Sequence, residues 1–322
     1  MVLEDVARPV VLAPLAGGPS TPELAAAVSE AGGLGFLGAG YLDAEETARR
    51  MAATRALTSR PFGLNLFVPG EPSAADVTPY AERLAAAGLE VGEPRWDDDH
   101  WEAKLALVRD DPPAVVSFTF GCPPAAVLRS LPCEAWVTVT SPEEASAAAA
   151  AGADGLVVQG AEAGGHRASF ADGGRLHDLH PLLDLVRAAV HLPLIATGGI
   201  ATARHVEAAL DRGAVAAQAG TAFLRCPEAG TSEVHRRALA TPAPTELTRA
   251  FTGRLARGIR NRFMQEHGPH APSAYPEVHH LTAPLRAAGR ARGDREVVNL
   301  WAGVNHELAT DAPAGDVVRA LT

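Results

Sequence analysis

Short apolar runs separated by helix-forming segments recur eight times between Val10 and Leu224, and this alternation constrains the fold more than any single motif. "VVLAPLAG" precedes "STPELAAAVSEAG", and "LGFLGAG" precedes "DAEETARRMAATRAL". "PFGLNLFV" leads through a polar, Pro-rich stretch to helices predicted at Tyr80–Ala87 and Trp101–Arg109. "AVVSFTFG", "EAWVTVT", "GLVVQG", "LPLIATGGI" and "AVAAQAGTAFL" supply the other five runs. The runs are continuously apolar rather than alternating. That is how a parallel strand reads when helices cover both of its faces. Helix starts are marked by Ser20-Thr21-Pro22-Glu23 and Ser141-Pro142-Glu143-Glu144, where a hydroxyl can cap free N–H groups and proline presets the first turn. Eight βα units in about 225 residues predict an α/β chain of the (β/α)8 TIM barrel type.

Beyond Leu224 the pattern changes. Residues 226–299 read as a smaller, mainly helical cap domain over one barrel face, with "TELTRAFTGRLARGIRNRFMQEH" as its clearest helix. Residues 300–322 read as a return to the barrel through "VVNLWAGVN" and a closing helix, which leaves 1–225 as the barrel.

Composition excludes several classes. With 47% hydrophobic residues the chain can bury a large core. A net charge of -10, without a Lys/Arg block, argues against nucleic acid and anionic membranes as partners. Cys122, Cys133 and Cys226 form no C-x-x-C pair, so neither a disulfide framework nor a zinc ribbon is expected. The amino terminus lacks a basic region with an apolar core, and no run is long enough for a membrane span. A cytoplasmic protein is the default expectation.

In a barrel the carboxyl ends of the strands face the active site. The third run places Asn65 there, the sixth Gln159 and then His166, the seventh Gly198 and Gly199, the eighth Gln218, Ala219, Gly220 and Thr221. Loops after the last two strands often hold phosphate, and glycines let backbone N–H groups approach an anion. "TGGIAT" before a helix and "QAGTAF" therefore predict a phosphate-bearing ligand. Asn65 and Gln159 carry amides that both donate and accept, as a heteroaromatic ring such as a flavin requires; alternatively each satisfies a local backbone group. His166 lies in "QGAEAGGHR", outside any expected apolar element, where an unperturbed pKa of about 6.5 suits proton abstraction. Glu162 is either its partner or a solvated loop charge.

Other chemistry is discounted. Lys104 is the one lysine and falls on a predicted helix rather than a strand end, which disfavours Schiff-base catalysis. His177-x-x-His180 and His279-His280 lack a third ligand, so no metal is assigned and they are read as loop and cap residues. Asp97-Asp98-Asp99 reads as a solvated loop, and Cys122 as an apolar filler. Gly33-Leu34-Gly35-Phe36-Leu37-Gly38 matches a dinucleotide fingerprint, but it follows a helix and opens a strand, the reverse of the required context.

Taken together, "APLAGGPSTPELAAAVSEAGGLGFLGAGY", "GLNLF", "VVQGAEAGGHR", "IATGGI" and "QAGTAFL" resemble, in order, the class I nitronate monooxygenases, once called 2-nitropropane dioxygenases. The resemblance implies FMN on the barrel, contacted by Asn65, Gln159, Gly164, Gly199, Gln218, Ala219, Gly220 and Thr221, with His166 as the catalytic residue. The implied reaction is oxidative denitrification: an alkyl nitronate, or a nitroalkane first deprotonated by His166, reacts with O2 to give a carbonyl compound and nitrite. The implied partners are that small molecule and O2, and a homodimer is left open. Three departures stand out: Trp301-Ala302-Gly303-Val304-Asn305 in place of a "WAGQ" tail, Cys122 in "FTFGCPP", and Arg167-Ala168-Ser169 after the histidine. These positions are expected on the substrate side. Two alternatives remain, an FMN reductase of enoyl thioesters or quinones that uses NAD(P)H, and a flavin-binding barrel without catalysis. Arg249, Arg254, Arg257, Arg260 and Arg262, if grouped on one cap helix, would favour the reductase.

Overall fold

A computed structural model describes residues 1–322. Eight parallel strands form a ring: β1 Val10–Leu12, β2 Gly35–Gly38, β3 Phe62–Phe67, β4 Val115–Thr119, β5 Glu134–Val139, β6 Gly155–Gln159, β8 Leu194–Thr197 and β9 Ala216–Ala219. Their order is β1-β9-β8-β6-β5-β4-β3-β2, and a parallel bridge between Val11 and Leu34 joins the two ends. This is the TIM barrel expected from the eight runs. Between strands and outer helices lies a 45-residue apolar core.

Strand pleating sorts the barrel interior into layers, because every second side chain points inward. Val11, Phe36, Val115, Trp136, Val157, Ile195 and Ala216 form an apolar floor. Phe36 and Trp136 fill it, with ring centroids 5.9 Å apart. A side chain at Gly63 would collide with the Phe36 ring, so glycine is required there. Two residues further along the strands, Ser117, Thr138, Gln159, Thr197 and Gln218 replace this floor with a polar rim. The barrel is plugged below and polar above.

The dinucleotide-like glycines serve packing. Gly35 opens β2, and a side chain there would overlap the Ala25 carbonyl of the preceding helix, Pro22–Glu30. The predicted helix over "TELTRAFTGRLARGIRNRFMQEH" does not form as one element. The segment folds as β10 Thr245–Thr248, a turn, β11 Ala256–Ile259 and a short helix, Arg262–His267. Gly253 adopts φ +77° in the turn, packed against the Ala274 carbonyl. A left-handed glycine between two short runs containing β-branched residues favours a hairpin over a helix.

The cap is therefore less helical than expected. β10 and β11 pair antiparallel with each other, and β11 pairs with β7, Gly165–His166. Its long helix is Glu277–Arg292. A separate core of twelve residues, including Phe251, Phe263, Leu281 and Leu285, fills the cap. That core also takes Tyr80 and Leu84 from the helix Thr78–Ala86, which leaves the barrel after β3. No helix is long and apolar enough to cross a membrane.

Candidate active site

One cavity of about 550 Å³ opens between the barrel rim and the cap. That size lies within the range for small-molecule and cofactor sites. All nine residues singled out in the sequence line it: Asn65, Gln159, Gly164, His166, Gly199, Gln218, Ala219, Gly220 and Thr221.

At the rim, Asn65 is buried and its Nδ2 donates to Ser117 Oγ and Thr119 Oγ1, each at 2.9 Å. Gln218 is buried, and its Oε1 meets no donor in the protein. A buried carbonyl oxygen without a partner costs on the order of 1–3 kcal/mol, so it points to a ligand N–H at this place. Gly198 and Gly199 hold φ +123° and +70°, which only glycine adopts freely. The N–H groups of Gly199 and Gly220 find no backbone acceptor. Gly199 precedes the helix Ala203–Leu210, and Thr221 opens a short 3-10 helix, so both turns present helix amino termini. Orphan amides of this kind suit a phosphate. A flat heteroaromatic ring with a phosphate tail fits this donor and acceptor set.

The rim amides are not alike. Gln159 Nε2 donates to His166 O at 3.1 Å, and its Oε1 accepts from Ala168 N at 2.9 Å. Both ends of Gln159 thus hold the histidine loop. Gly164 touches the Ala302-Gly303 backbone so closely that a side chain would overlap it. Glu162 is not a partner of His166; it is half-buried, and its carboxylate accepts from Leu179 N at 3.0 Å at the start of the helix Leu179–Ala189.

His166 sits inside an element, contrary to the loop position expected. It pairs with Ala256 on the cap sheet, at the seam between barrel and cap. Phe120, Tyr275 and Trp301 surround its ring at centroid distances of 5.7, 5.7 and 5.5 Å. Nε2 lies 2.9 Å from Thr252 Oγ1, and that hydroxyl donates to Arg254 O at 3.2 Å. Thr252 has one proton and spends it on the carbonyl, so its oxygen accepts from Nε2–H. The network therefore assigns the free lone pair to Nδ1. Burial, together with the Arg254 and Arg286 guanidinium groups, lowers the His166 pKa to about 3. The ring is neutral at ordinary pH, well below the unperturbed value used for the sequence reading.

Several lining residues escaped the sequence reading because the cap supplies them or because no motif marks them. Tyr41, at the end of the β2 loop, stacks on His279 with centroids 4.1 Å apart, and its hydroxyl receives a hydrogen bond from Tyr275 at 3.2 Å. His279 is a cap residue, as expected; it lies on the helix Glu277–Arg292 and lines the cavity. Asp99 is not solvated: it pairs with Lys104 at 2.7 Å and accepts from Tyr41 N at 2.8 Å. Lys104 also donates to Ala39 O at 2.9 Å and stays outside the cavity. Burial raises the Asp99 pKa and lowers that of Lys104, the two being held charged by each other.

Of the departing positions, Ala168, Trp301, Gly303 and Asn305 line the cavity and Cys122 does not. Asn305 Nδ2 donates to Gly199 O at 2.7 Å, at the phosphate-like end. Cys122 packs against the barrel core. Of Arg167-Ala168-Ser169, only Ala168 lines the cavity.

The model of the family described as nitronate monooxygenase matches residues 2–322. The chain belongs to the nitronate monooxygenase family. A nitronate monooxygenase from Pseudomonas aeruginosa is 39% identical, over 99% of this chain and 96% of that protein. One from Paraburkholderia phytofirmans is 38% identical, over 99% and 92%. The crystal structure of nitroalkane oxidase from Streptomyces ansochromogenes superposes with a TM-score of 0.96 at 48% identity, covering 99% of this chain and 96% of that one. FabK from Thermotoga maritima matches with a TM-score of 0.76 at 25% identity, covering 99% and 93%. As a member of the nitronate monooxygenase family, the chain is an oxidoreductase.

Proposed function

We propose that this protein binds FMN and oxidises alkyl nitronates, and nitroalkanes after deprotonation, to a carbonyl compound and nitrite with O2. The observation that carries the reading is the neutral His166 held over a polar barrel rim with the unpartnered Gln218 Oε1. When bound, FMN supplies the electron-transfer chemistry with the nitronate and O2.

The chain's own residues do the rest. Asn65, Gln218 and Ala219 face the ring, while Gly199, Gly220 and Thr221 take the phosphate, with Asn305 steadying the Gly199 turn. Gln159 and Gly164 line the same wall and set the height of the His166 loop. Thr252 fixes the His166 tautomer so that Nδ1 accepts the α-proton of a neutral nitroalkane. Burial, with Arg254 and Arg286, disfavours an imidazolium at His166, and an anionic product offsets this by pairing with it. The aromatic ring of residues around His166 excludes water from that pair.

The arginines that would favour a reduced nucleotide are dispersed. Arg249 pairs with Asp172 at 2.7 Å and Arg260 with Glu246 at 3.1 Å, while Arg254 and Arg257 donate to backbone carbonyls. This weighs against the reductase alternative.

The test is the visible spectrum of the purified protein, followed by mixing with propionate 3-nitronate in air while oxygen and nitrite are followed. A flavin spectrum with nitrite release supports the reading. A flavin spectrum without nitrite, together with anaerobic bleaching by NADPH, would replace it with the reductase.

A further inference from the structure

The chain carries a net charge of -10, yet no aspartate or glutamate lines its large cavity. Two arginines do, Arg286 and Arg290, four residues apart on the helix Glu277–Arg292. Arg286 is 6% exposed and has no carboxylate within ion-pair distance. Its Nε donates to Thr282 O and Oγ1 at 3.3 and 3.1 Å, and one Nη donates to His279 O at 2.7 Å. The other Nη has no protein partner among these bonds. Of the three buried arginines, Arg167, Arg254 and Arg286, only Arg286 lines this cavity, while Arg254 gives two donors to backbone carbonyls and lies over the Phe120 ring.

A guanidinium buried without an anion is costly unless an anion arrives. The fixed Thr282 and His279 contacts orient one edge and leave the other for a ligand. The turns at Gly199 and Gly220 follow the barrel strands β8 and β9, whereas Arg286 stands on the cap helix Glu277–Arg292. Arg286 instead stands beside His166: it donates to His279 O, the His279 ring stacks on Tyr41, Tyr275 donates to the Tyr41 hydroxyl, and the Tyr275 ring lies 5.7 Å from that of His166. Arg286 remains a cation at neutral pH, its own pKa lowered only to about 10 by burial. Tyr41 and Tyr275 stay neutral, since burial raises both hydroxyls.

We propose that Arg286 is the substrate-binding residue for the anionic nitronate, whose two planar oxygens match the free edge of the guanidinium, with Arg290 at the exposed mouth steering anions inward. The assignment rests on the reading of the site given above. It explains how one cavity serves both states of the substrate: His166 takes the proton, and Arg286 holds the charge that this creates.

Nitrate is a planar oxyanion that cannot react, and it separates binding from turnover. Isothermal titration of the purified holoenzyme with sodium nitrate is expected to show saturable binding. Arg286→Gln should weaken it at least about tenfold, and Arg286→Lys, which keeps the charge without the fork, should weaken it less. The ratio of kcat/KM for the nitronate to that for the neutral nitroalkane should fall by about tenfold in Arg286→Gln, which a purely structural arginine would not cause. If the glutamine variant does not fold, the lysine variant carries the same comparison. Nitrate binding that is absent in the wild type, or equal in all three proteins, overturns the proposal even if nitrite is released. Nitrate displaced by NADPH in the wild type also overturns it, by assigning Arg286 to a nucleotide phosphate. Binding lost in Arg286→Gln with no wild-type nitrite release leaves the anion site standing and removes the proposed reaction.

Discussion

The two walls of the cavity are built by different rules. The barrel wall is made of strand ends, where neutral amides, threonines and glycines stand two residues above an apolar floor. The cap wall is made of a hairpin turn and one long helix, which bring Thr252, His279 and Arg286 against that rim, with Trp301 beside them from the segment that follows. The first wall holds polar atoms without charge, and the second concentrates cations and aromatic rings. His166 belongs to both, since its loop leaves β6 and its backbone pairs with β11. The comparison teaches that affinity for a cofactor and reactivity toward a substrate are assigned to separate parts of the chain, joined at one residue.

The largest expected effect falls at the joint. His166→Asn should retain FMN in the visible spectrum and lose about 10²–10⁴-fold in turnover of neutral nitroalkanes. Unchanged turnover would remove the base from His166. Next is the support beneath Tyr41. Lys104→Met leaves Asp99 buried without its cation and should cost about 3–5 kcal/mol in denaturant unfolding, since breaking a buried pair exposes the full desolvation penalty. A loss below about 1 kcal/mol would mean that the pair is well solvated.

Two substitutions separate the walls. Gly199→Val forces a β-branched residue into φ +70° and should empty the cofactor site, measured as the flavin-to-protein absorbance ratio, while the fold persists in circular dichroism. Thr252→Val should do the reverse: full cofactor content, kcat on nitroalkanes down by about tenfold, KM little changed, and recovery in Thr252→Ser. Should either variant affect both properties equally, the division between walls does not hold.

The remaining effect concerns acid stability. His166 and His235 have pKa values lowered to about 3 and about 4, mainly by burial. The unfolded chain binds these protons near pH 6.5, so the native state loses stability as pH falls from about 6.5 toward 4, at up to about 1.4 kcal/mol per pH unit for each ring. The melting temperature should therefore drop between pH 6.5 and 5, before most carboxylates titrate. A flat profile over that interval would show both rings to be more hydrated than the fold implies.

The eight apolar runs, their βα order and the placement of Asn65, Gln159, Gly199 and Gln218 at strand ends were legible because parallel strands impose a local pattern: continuous hydrophobicity, then small or polar residues at the mouth. The segment 245–267 was misread because its arginines and threonines tolerate either helix or strand, and the choice falls to Gly253 and to pairing with Gly165–His166, which lie about ninety residues earlier. Asp99 looked like one of three solvated acids until Lys104 came within 2.7 Å. By itself, then, the sequence determined the barrel, the polar rim and the histidine loop. The tertiary structure alone decided the tautomer and charge of His166, the burial of Arg286 without an acid, and the meeting of cap and rim. Those depend on distances between residues far apart in the chain, and desolvation and pairing have no counterpart in local composition.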